Sequence, residues 1–189
     1  MAVGILGGVF DPPHLGHVAL ARAAVAQLGL DELLVLVVAD PGHKAATTSA
    51  ETRFELARLA FADVPGAIVE LDRHARTVDF LEERQPEDAL FVLGADELAT
   101  FESWKSPERV LELVRLAVAM RPGVARDDVS AVRERLAAGD RVVEFEMEPV
   151  AISSSDIRAR VARGDAVDDV VPPPVLHAIS RLGLYTRPE

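Results

Sequence analysis

Cysteine is absent from this sequence of 189 residues. Its absence excludes disulfide bonds, thiolate nucleophiles, and zinc or iron–sulfur sites that depend on cysteine ligands. Aromatic residues are also few, at 5%, and only one of them is tryptophan. Glycine and proline number 12 each, too few for a fibrous or linker-rich chain. With a hydrophobic content of 49%, the composition is that of an ordinary folded domain.

Positive charge is scarce relative to negative charge. Lys and Arg total 20 against 31 for Asp and Glu, which gives a formal net charge of −11. A broad basic surface for nucleic acid or for anionic lipid is therefore not expected. Any anionic ligand must instead be held by a local cluster of cations.

Long apolar runs are missing as well. The longest, at residues 33–39, has the length of a buried strand and is far below the roughly 20 residues that a membrane helix requires. Residues 1–6 lack a basic segment and are too short an apolar run for a signal peptide. We therefore expect one domain over residues 1–189, without a membrane partner and with a cytoplasmic location.

Short apolar runs alternate with amphipathic stretches along the chain. The runs predict strands at 3–6, 33–38, 67–71, 89–93, 116–120 and 141–145. The amphipathic stretches predict helices at 15–28, 50–62, 77–85, 107–114 and 127–138. Strands with so little polarity are typical of a sheet covered on both faces. We predict a doubly wound α/β fold with a parallel sheet and a ligand at the carboxyl ends of its strands.

Three helix starts can be predicted from local signals. Thr48 and Glu51 have the spacing of a capping box for the second helix. Ser106 followed by a proline fits an N-cap with proline at the first helical position. The proline cluster at 172–174 indicates another helix start, because an apolar periodicity resumes directly after it.

The segment GGVFDPPHLGH, directly after the first predicted strand, is the first with chemical character. It matches neither the dinucleotide-binding fingerprint nor the P-loop. Gly7 and Gly8 would let backbone N–H groups approach a ligand. His14 and His17 would project to one face at the positive end of a helix, which predicts a phosphate site with two imidazole donors. A metal site of these histidines with Asp11 is the alternative, although no Glu-bearing helix motif accompanies it.

A second polar segment, ISSSDIR, follows the last predicted strand and opens a helix. Ser153 and Asp156 have the spacing of a capping box, so a well-capped helix is the simplest interpretation. Three consecutive hydroxyl groups, with Arg158 one turn later, exceed what a cap needs. Together with unpaired N–H groups at the helix start, they predict a second anion site suited to the distal phosphates of a nucleotide.

These two segments resemble the H-x-G-H nucleotidyltransferases and, within them, the bacterial nicotinate-nucleotide adenylyltransferases. The resemblance continues through Pro-x-His-Lys, Gly-Ala-Asp with a later tryptophan, Arg-Pro-Gly and Gly-Leu-Tyr, in family order over nearly the whole chain. H-x-G-H with Ser-Ser-x-x-Ile-Arg is specific for the superfamily, whereas the tryptophan and flanking pieces indicate the pyridine-nucleotide branch. The matching residues are 7–17, 41–44, 94–96, 104, 121–123, 152–158 and 183–185.

The resemblance implies a Rossmann-like nucleotidyltransferase domain and a reaction of ATP with nicotinate mononucleotide. The products would be deamido-NAD and pyrophosphate, a step of NAD biosynthesis. The mononucleotide phosphate would attack the α-phosphorus of ATP directly, so catalysis would consist of positioning and charge stabilisation without a protein nucleophile. The implied catalytic residues are His14 and His17 at the ATP phosphates, and Lys44 and Arg158 opposite the charge of the leaving pyrophosphate.

Further binding roles are implied by the same resemblance. Ser153 and Ser154 would fix the leaving group, Asp96 would accept from ribose hydroxyls, and Trp104 would stack on the pyridine ring. Mg²⁺ would bridge phosphate oxygens with few or no direct protein ligands, so no metal-binding residues are expected. The ATP-binding set is Gly7, Gly8, Phe10, Gly94, Asp96, Arg121, Ser153 and Ser154, and the acceptor-binding set is Thr77, Asp79 and Trp104.

Departures from the family pattern fall mostly around the acceptor. Val9 replaces the usual Thr or Ser, which removes one hydroxyl near the phosphates. The family's Gly-Pro-Ser-Tyr-Thr stretch appears as RHART and keeps only Thr77, while Lys105 stands where an aromatic residue commonly follows the tryptophan. Arg76 and Lys105 are interpreted either as partners of a carboxylate or phosphate or as solvated charges. His74 is interpreted as a core or surface histidine whose hydrogen bonds are satisfied within the protein.

Two other functions are compatible with the sequence. One is an H-x-G-H nucleotidyltransferase with another phosphorylated acceptor, such as nicotinamide mononucleotide or phosphopantetheine; the other is a nucleotide-binding sensor without turnover. His14, His17, Lys44 and Arg158 argue against the sensor, because mere binding needs fewer groups around a leaving pyrophosphate. A core aromatic is the alternative role for Trp104. The acceptor and the presence of a homo-oligomer stay open.

Overall fold

The structure is a computed structural model that describes residues 1–42, 46–120, 126–135, 138–148 and 150–186. Within these residues, six strands form one parallel sheet. Each end of a predicted strand lies within two residues of the observed end. The strands are β1 Val3–Gly8, β2 Glu32–Val38, β3 Ala67–Asp72, β4 Leu90–Gly94, β5 Arg115–Met120 and β6 Val142–Glu146.

The helices follow the predicted order, with short additions. In the described residues they are α1 Leu15–Leu28, α2 Ala50–Phe61, α3 Thr77–Arg84, α4 Ala95–Leu98, α5 Pro107–Leu113, α6 Arg126–Arg135, α7 Ser154–Arg163 and α8 Pro173–Leu182. The one-turn helix α4 and the 3-10 helices Phe101–Ser103 and Gly139–Arg141 were not predicted, because they are too short for a periodic pattern. None of the described helices combines the length and apolar character needed to cross a membrane.

The predicted cap of α2 is wrong by one residue. Ser49, not Thr48, is the N-cap, and its hydroxyl accepts from the backbone N–H of Thr52 at 3.1 Å. The Thr48 hydroxyl instead donates to Asp11 at 2.7 Å. The Thr48 hydroxyl, which the local pattern assigned to the cap of α2, is therefore used in a long-range hydrogen bond.

The strand order is β3-β2-β1-β4-β5-β6, and all neighbours run parallel. The chain builds outward from β1 to β3, then returns to place β4 on the other side of β1. This order confirms the doubly wound α/β prediction. It also creates a switch point between the carboxyl ends of β1 and β4, where open sheets of this type bind ligands.

Both faces of the sheet are covered by helices. Alternate residues of β5 face opposite sides: Leu116 and Val118 join one hydrophobic cluster, while Ala117 and Ala119 join the other. Side chains of α3, α5 and α6 complete the first cluster, and those of α1, α2, α7 and α8 complete the second. The strands are apolar at most positions because both of their faces are buried.

Candidate active site

Both predicted phosphate segments lie at the carboxyl edge of the sheet. The first leads from the end of β1 into α1, and the second precedes α7. Gly8 ends β1 and Gly94 ends β4, so these two predicted residues belong to neighbouring strands at the switch point. The topology therefore brings together segments that are far apart in the sequence.

His14 and His17 form a stacked pair at the start of α1. Their ring centroids are 3.7 Å apart, with the ring planes inclined by 27°. The backbone N–H of His14 donates to Nδ1 of His17 at 3.2 Å, so a neutral His17 carries its proton on Nε2. Burial lowers the pKa of His14 to about 4, because desolvation disfavours the charged imidazole. His14 is therefore neutral near pH 7.

The space around this pair requires small neighbours. A Cβ atom on Gly16 would lie 3.0 Å from Nδ1 of His14, and one on Gly8 would lie 2.7 Å from Cζ of Phe10. Phe10 is 1% exposed and meets the His17 ring edge-on, with centroids 5.0 Å apart. Phe10 thus supports His17 from within the core, whereas the resemblance implies a contact with ATP. Gly8 makes room for this packing.

Asp11 connects three segments at the same edge. Its buried carboxylate accepts from the backbone N–H of Thr47 at 2.5 Å, and from the hydroxyls of Thr48 and Tyr185 at 2.7 Å each. Burial and the bond to Asp11 raise the pKa of the Tyr185 hydroxyl, so it remains a donor. Asp11 therefore fixes the loop before α2 and the segment after α8 relative to the histidines, and its oxygens are occupied.

Arg53 is a buried residue of the site region that the sequence analysis missed. Its side chain is 1% exposed and donates to the carbonyls at the ends of β1 and β2 and at the start of α2. Burial lowers the pKa of the guanidinium, an effect opposed by the charge of Asp11. The acceptors are the carbonyls of Val9 at 2.9 Å, Val38 at 2.7 Å, Ala39 at 2.8 Å and Thr48 at 3.3 Å.

A sequence signal for Arg53 does exist. It occupies the same buried stripe of α2 as Leu56, Ala57 and Ala60. A charged residue on the apolar face of an amphipathic helix needs partners for its donors, since burying an unpaired charge is costly. Such a position therefore indicates a buried hydrogen-bonded arginine.

The start of α7 is tied directly to the histidine loop. Ser153 is the N-cap, and its hydroxyl accepts from the backbone N–H of Asp156 at 3.1 Å. The Ser154 hydroxyl donates to the Pro12 carbonyl at 2.8 Å, and Nη1 of Arg158 donates to the Asp11 carbonyl at 2.7 Å. The two seryl hydroxyls are thus engaged in hydrogen bonds within the protein. The first N–H groups of α7, which have no partner within the helix, are the donors suited to an anion.

A cavity of about 740 Å³ lies at the carboxyl edge of the sheet. Its walls include the ends of β2 and β3, the start of α3, and residues of α4. Asp96, Thr77 and Trp104, assigned to ATP ribose or acceptor, all line it. Trp104 is half-buried and packs against Phe91 and Phe101, with ring centroids 5.8 and 5.2 Å away. The Trp104 ring therefore both packs against core aromatics and lines the cavity.

Charged side chains also gather around the loop between β3 and α3. Nδ1 of His74 lies 2.7 Å from a carboxylate oxygen of Asp72, and Nε2 lies 3.1 Å from one of Glu83. These bonds, chiefly that to Asp72, raise the pKa of His74. Asp79, expected at the acceptor, instead pairs with Nζ of Lys105 at 2.7 Å. His74 is therefore a cavity-lining residue whose ring nitrogens both have acidic partners.

Two predicted residues, Lys44 and Arg121, lie outside the described residues. A metal site at the histidine loop is not supported, because the Asp11 carboxylate is taken up by three donors. In the residues that the structure describes, no three His, Asp or Glu side chains converge as metal ligands.

Comparison with known proteins shows the family. Residues 5–160 match the model of the cytidylyltransferase-like family. A probable nicotinate-nucleotide adenylyltransferase of Exiguobacterium sibiricum is 37% identical, with 98% of this chain and 99% of that protein covered. One of Bordetella petrii is 40% identical, with coverages of 97% and 98%.

A solved structure shares the fold at much lower identity. It is the nicotinic acid mononucleotide adenylyltransferase of Plasmodium falciparum complexed with NaAD, with a TM-score of 0.77 and 16% sequence identity. The alignment covers 97% of each chain. The family match and the two bacterial relatives decide the assignment: the chain belongs to the cytidylyltransferase-like family and, within it, to the nicotinate-nucleotide adenylyltransferases.

Proposed function

We propose that this protein transfers the adenylyl group of ATP to nicotinate mononucleotide. The observation that carries the proposal is the stacked pair of His14 and His17 beside the start of α7. Hydrogen bonds from Ser154 and Arg158 to the loop before α1 hold these two elements together. The bacterial relatives, at 37% and 40% identity over nearly the whole chain, support the same activity.

The reaction is a direct displacement at phosphorus. A phosphate oxygen of the mononucleotide forms a bond to the α-phosphorus of ATP, while the bond from that phosphorus to the bridging oxygen breaks. Pyrophosphate leaves with the electron pair, and the dinucleotide retains the adenylyl group. Catalysis then requires alignment of the reactants and stabilisation of the charge that moves to the leaving group.

The two histidines act as hydrogen-bond donors to the phosphates of ATP. Because Nδ1 of His17 accepts from the backbone, its proton is presented on Nε2. Stacking against His14 and edge contact with Phe10 fix the orientation of this ring. A preorganised donor of this kind stabilises the transition state without reorganising during the reaction.

Positive charge on the leaving-group side comes from Arg158 and Lys44. One donor of Arg158 is used on the Asp11 carbonyl, and the guanidinium has further N–H groups for phosphate oxygens. The first N–H groups of α7 add donors at the positive end of the helix dipole. Ser153 and Ser154 contribute by holding this helix start in place.

We expect Mg²⁺ to bind as its complex with ATP, held by phosphate oxygens. The side chains near the histidines are compatible with this binding mode, since the Asp11 carboxylate already accepts three hydrogen bonds and the described residues contain no cluster of metal ligands. Mg²⁺ bound to the triphosphate supplies charge neutralisation and makes pyrophosphate a better leaving group. The residues assigned to the phosphates then supplement the ion with hydrogen bonds and charge.

The acceptor occupies the cavity at the carboxyl edge of the sheet. Trp104 presents its ring for stacking on the pyridine, while Asp96 accepts from ribose hydroxyls and Thr77 also lines the cavity. All of these groups belong to one chain, so the proposal does not depend on a homo-oligomer. A cytoplasmic location is part of the proposal and rests on the use of ATP as donor.

The experiment is pyrophosphate release from ATP with a panel of acceptors. We expect release with nicotinate mononucleotide to require Mg²⁺ and to exceed release with phosphopantetheine. The control is the His17→Ala protein, which accounts for a contaminating activity. A clear preference for phosphopantetheine would contradict the acceptor, and no release with any acceptor would favour a nucleotide-binding sensor.

A further inference from the structure

Three cationic side chains line the acceptor cavity, and they differ in their partners. They are His74, Arg76 and Lys105. Four carboxylates line the same cavity, so its overall charge does not favour an acidic acceptor. A nucleotide with a phosphate and a carboxylate therefore needs a specific cation whose charge is not already paired. The carboxylates are Asp40, Asp72, Asp96 and Glu97.

Two of the three cations are paired within the protein. His74 has a carboxylate on each ring nitrogen, from Asp72 at 2.7 Å and from Glu83 at 3.1 Å. The ammonium of Lys105 lies 2.7 Å from the Asp79 carboxylate. These contacts offset the charge of both cations. Because Asp72 is paired with His74, its charge also repels an anionic ligand less.

Arg76 differs from both. Its Nη1 donates to the carbonyl of Ala75 at 2.7 Å, and no ion pair joins it to a carboxylate within the described part of the chain. A Cβ atom on Gly42 would lie 3.5 Å from the same nitrogen, which places the guanidinium between the loops that follow β2 and β3. The guanidinium has five N–H donors, and most remain available for a planar anionic group.

We propose that Arg76 recognises an acidic group of the acceptor, its carboxylate or its phosphate, and so determines acceptor specificity. This inference rests on the proposed function. The residue lies in the RHART segment, where this chain departs from the Gly-Pro-Ser-Tyr-Thr stretch that it otherwise resembles. The guanidinium of Arg76 can therefore make a contact with the acceptor that the Gly-Pro-Ser-Tyr-Thr stretch cannot make.

The test compares Arg76→Met with Arg73→Met. Both residues are exposed arginines of the same loop, but only Arg76 lines the cavity. Binding of nicotinate mononucleotide and of nicotinamide mononucleotide is measured by calorimetry, and kcat/KM by pyrophosphate release. Arg76→Lys keeps the charge without the planar fork, and circular dichroism checks the folding of each protein.

We expect Arg76→Met to lower kcat/KM for nicotinate mononucleotide about 10- to 100-fold, the loss typical of a charged hydrogen bond. The loss should appear mainly in KM, Arg73→Met should match the unmodified protein, and Arg76→Lys should be intermediate. If the carboxylate is recognised, the loss is confined to nicotinate mononucleotide. If the phosphate is recognised, both mononucleotides lose affinity equally.

Unchanged affinity for both mononucleotides in folded Arg76→Met would overturn the assignment of Arg76. Equal losses in the Arg73 and Arg76 variants would also overturn it, because net charge alone would then explain them. If the unmodified protein releases no pyrophosphate with either mononucleotide, the proposed function fails, and this inference fails with it. The unmodified protein therefore separates the two failures.

Discussion

The phosphate side and the acceptor side of this site are built differently. On the phosphate side, Asp11, Arg53 and Tyr185 are buried, and their hydrogen bonds join distant segments around the two histidines. On the acceptor side, the ion pair between Asp79 of α3 and Lys105 of the loop before α5 is partly exposed, and Lys105 lines the cavity. In the proposed function, the chemistry at the phosphates thus rests on a buried, hydrogen-bonded frame, whereas acceptor recognition rests on side chains at the protein surface.

This contrast gives an ordering of expected effects. Changes in the buried frame should affect folding and ATP chemistry together, because an unpaired buried polar group carries its full desolvation cost. Changes on the acceptor side should alter the affinity for one substrate and leave the fold intact, because surface ion pairs contribute little to stability. The contacts of each residue assign it to the phosphate side or to the acceptor side, and a substitution tests that assignment.

Replacement of Arg53 should have the largest effect. Arg53→Met removes the buried donor group of four partly buried carbonyls and the positive charge beside Asp11. We expect the free energy of unfolding to fall by about 3–5 kcal/mol in urea titrations. Arg58→Met on the same helix is the control, since Arg58 is exposed and its pair with Glu55 is worth less than about 1 kcal/mol. Similar losses in both variants would contradict a special role for Arg53.

His17→Ala tests the phosphate side at the level of chemistry. We expect kcat to fall on the order of 10²-fold or more, with a smaller change in ATP affinity, because the contact strengthens in the transition state. Steady-state kinetics and ATP titrations measure the two quantities. His177→Ala, an exposed histidine on α8, is the matched control. Equal losses in binding and turnover would make His17 a ground-state anchor instead.

The buried His14 predicts a pH dependence of stability. Its folded pKa of about 4 lies below the ordinary value of 6.5, so the unfolded chain binds the proton first as the pH falls. The free energy of unfolding should therefore decrease from pH 6.5 towards pH 4, by about 2–3 kcal/mol in total.

A difference measurement isolates this contribution from the carboxylates that titrate in the same range. His14→Gln should lack the decrease, so the unfolding free energies of the two proteins should diverge across this window. His74 contributes with the opposite sign, because its pKa is raised and its stabilisation is lost only as the pH rises above the ordinary value. Parallel curves for the two proteins would show that His14 is not buried in its neutral form.

The same contrast explains what could be predicted from the sequence. The strands, the helix at Leu15–Leu28 and the pairing of the histidine and serine segments follow from local patterns and topology. The carbonyl partners of Arg53 come from separate segments. The Thr48 hydroxyl, which was predicted to cap α2, is hydrogen-bonded to Asp11 instead. Such long-range bonds have no local signature. The partners of His74 and Lys105 likewise depended on how α3 and the loops pack.

Trp104 combines a structural position with a place in the acceptor cavity, because its ring both packs on the core and lines the cavity. If it stacks on the pyridine, Trp104→Ala should weaken mononucleotide binding by about 1–3 kcal/mol, taking base stacking as the nearest analogue. ATP binding should barely change, since its phosphates are assigned to other residues.

A core role makes a different prediction for the same change. Loss of a core aromatic costs about 3–5 kcal/mol of folding stability and would lower both ligand affinities together through unfolded protein. Phe101→Leu is the matched control, because Phe101 is buried against Trp104 but does not line the cavity. It should destabilise the fold and leave the affinity of the folded fraction unchanged. Normal affinity for nicotinate mononucleotide in folded Trp104→Ala would exclude stacking and shift the acceptor assignment towards a non-pyridine compound.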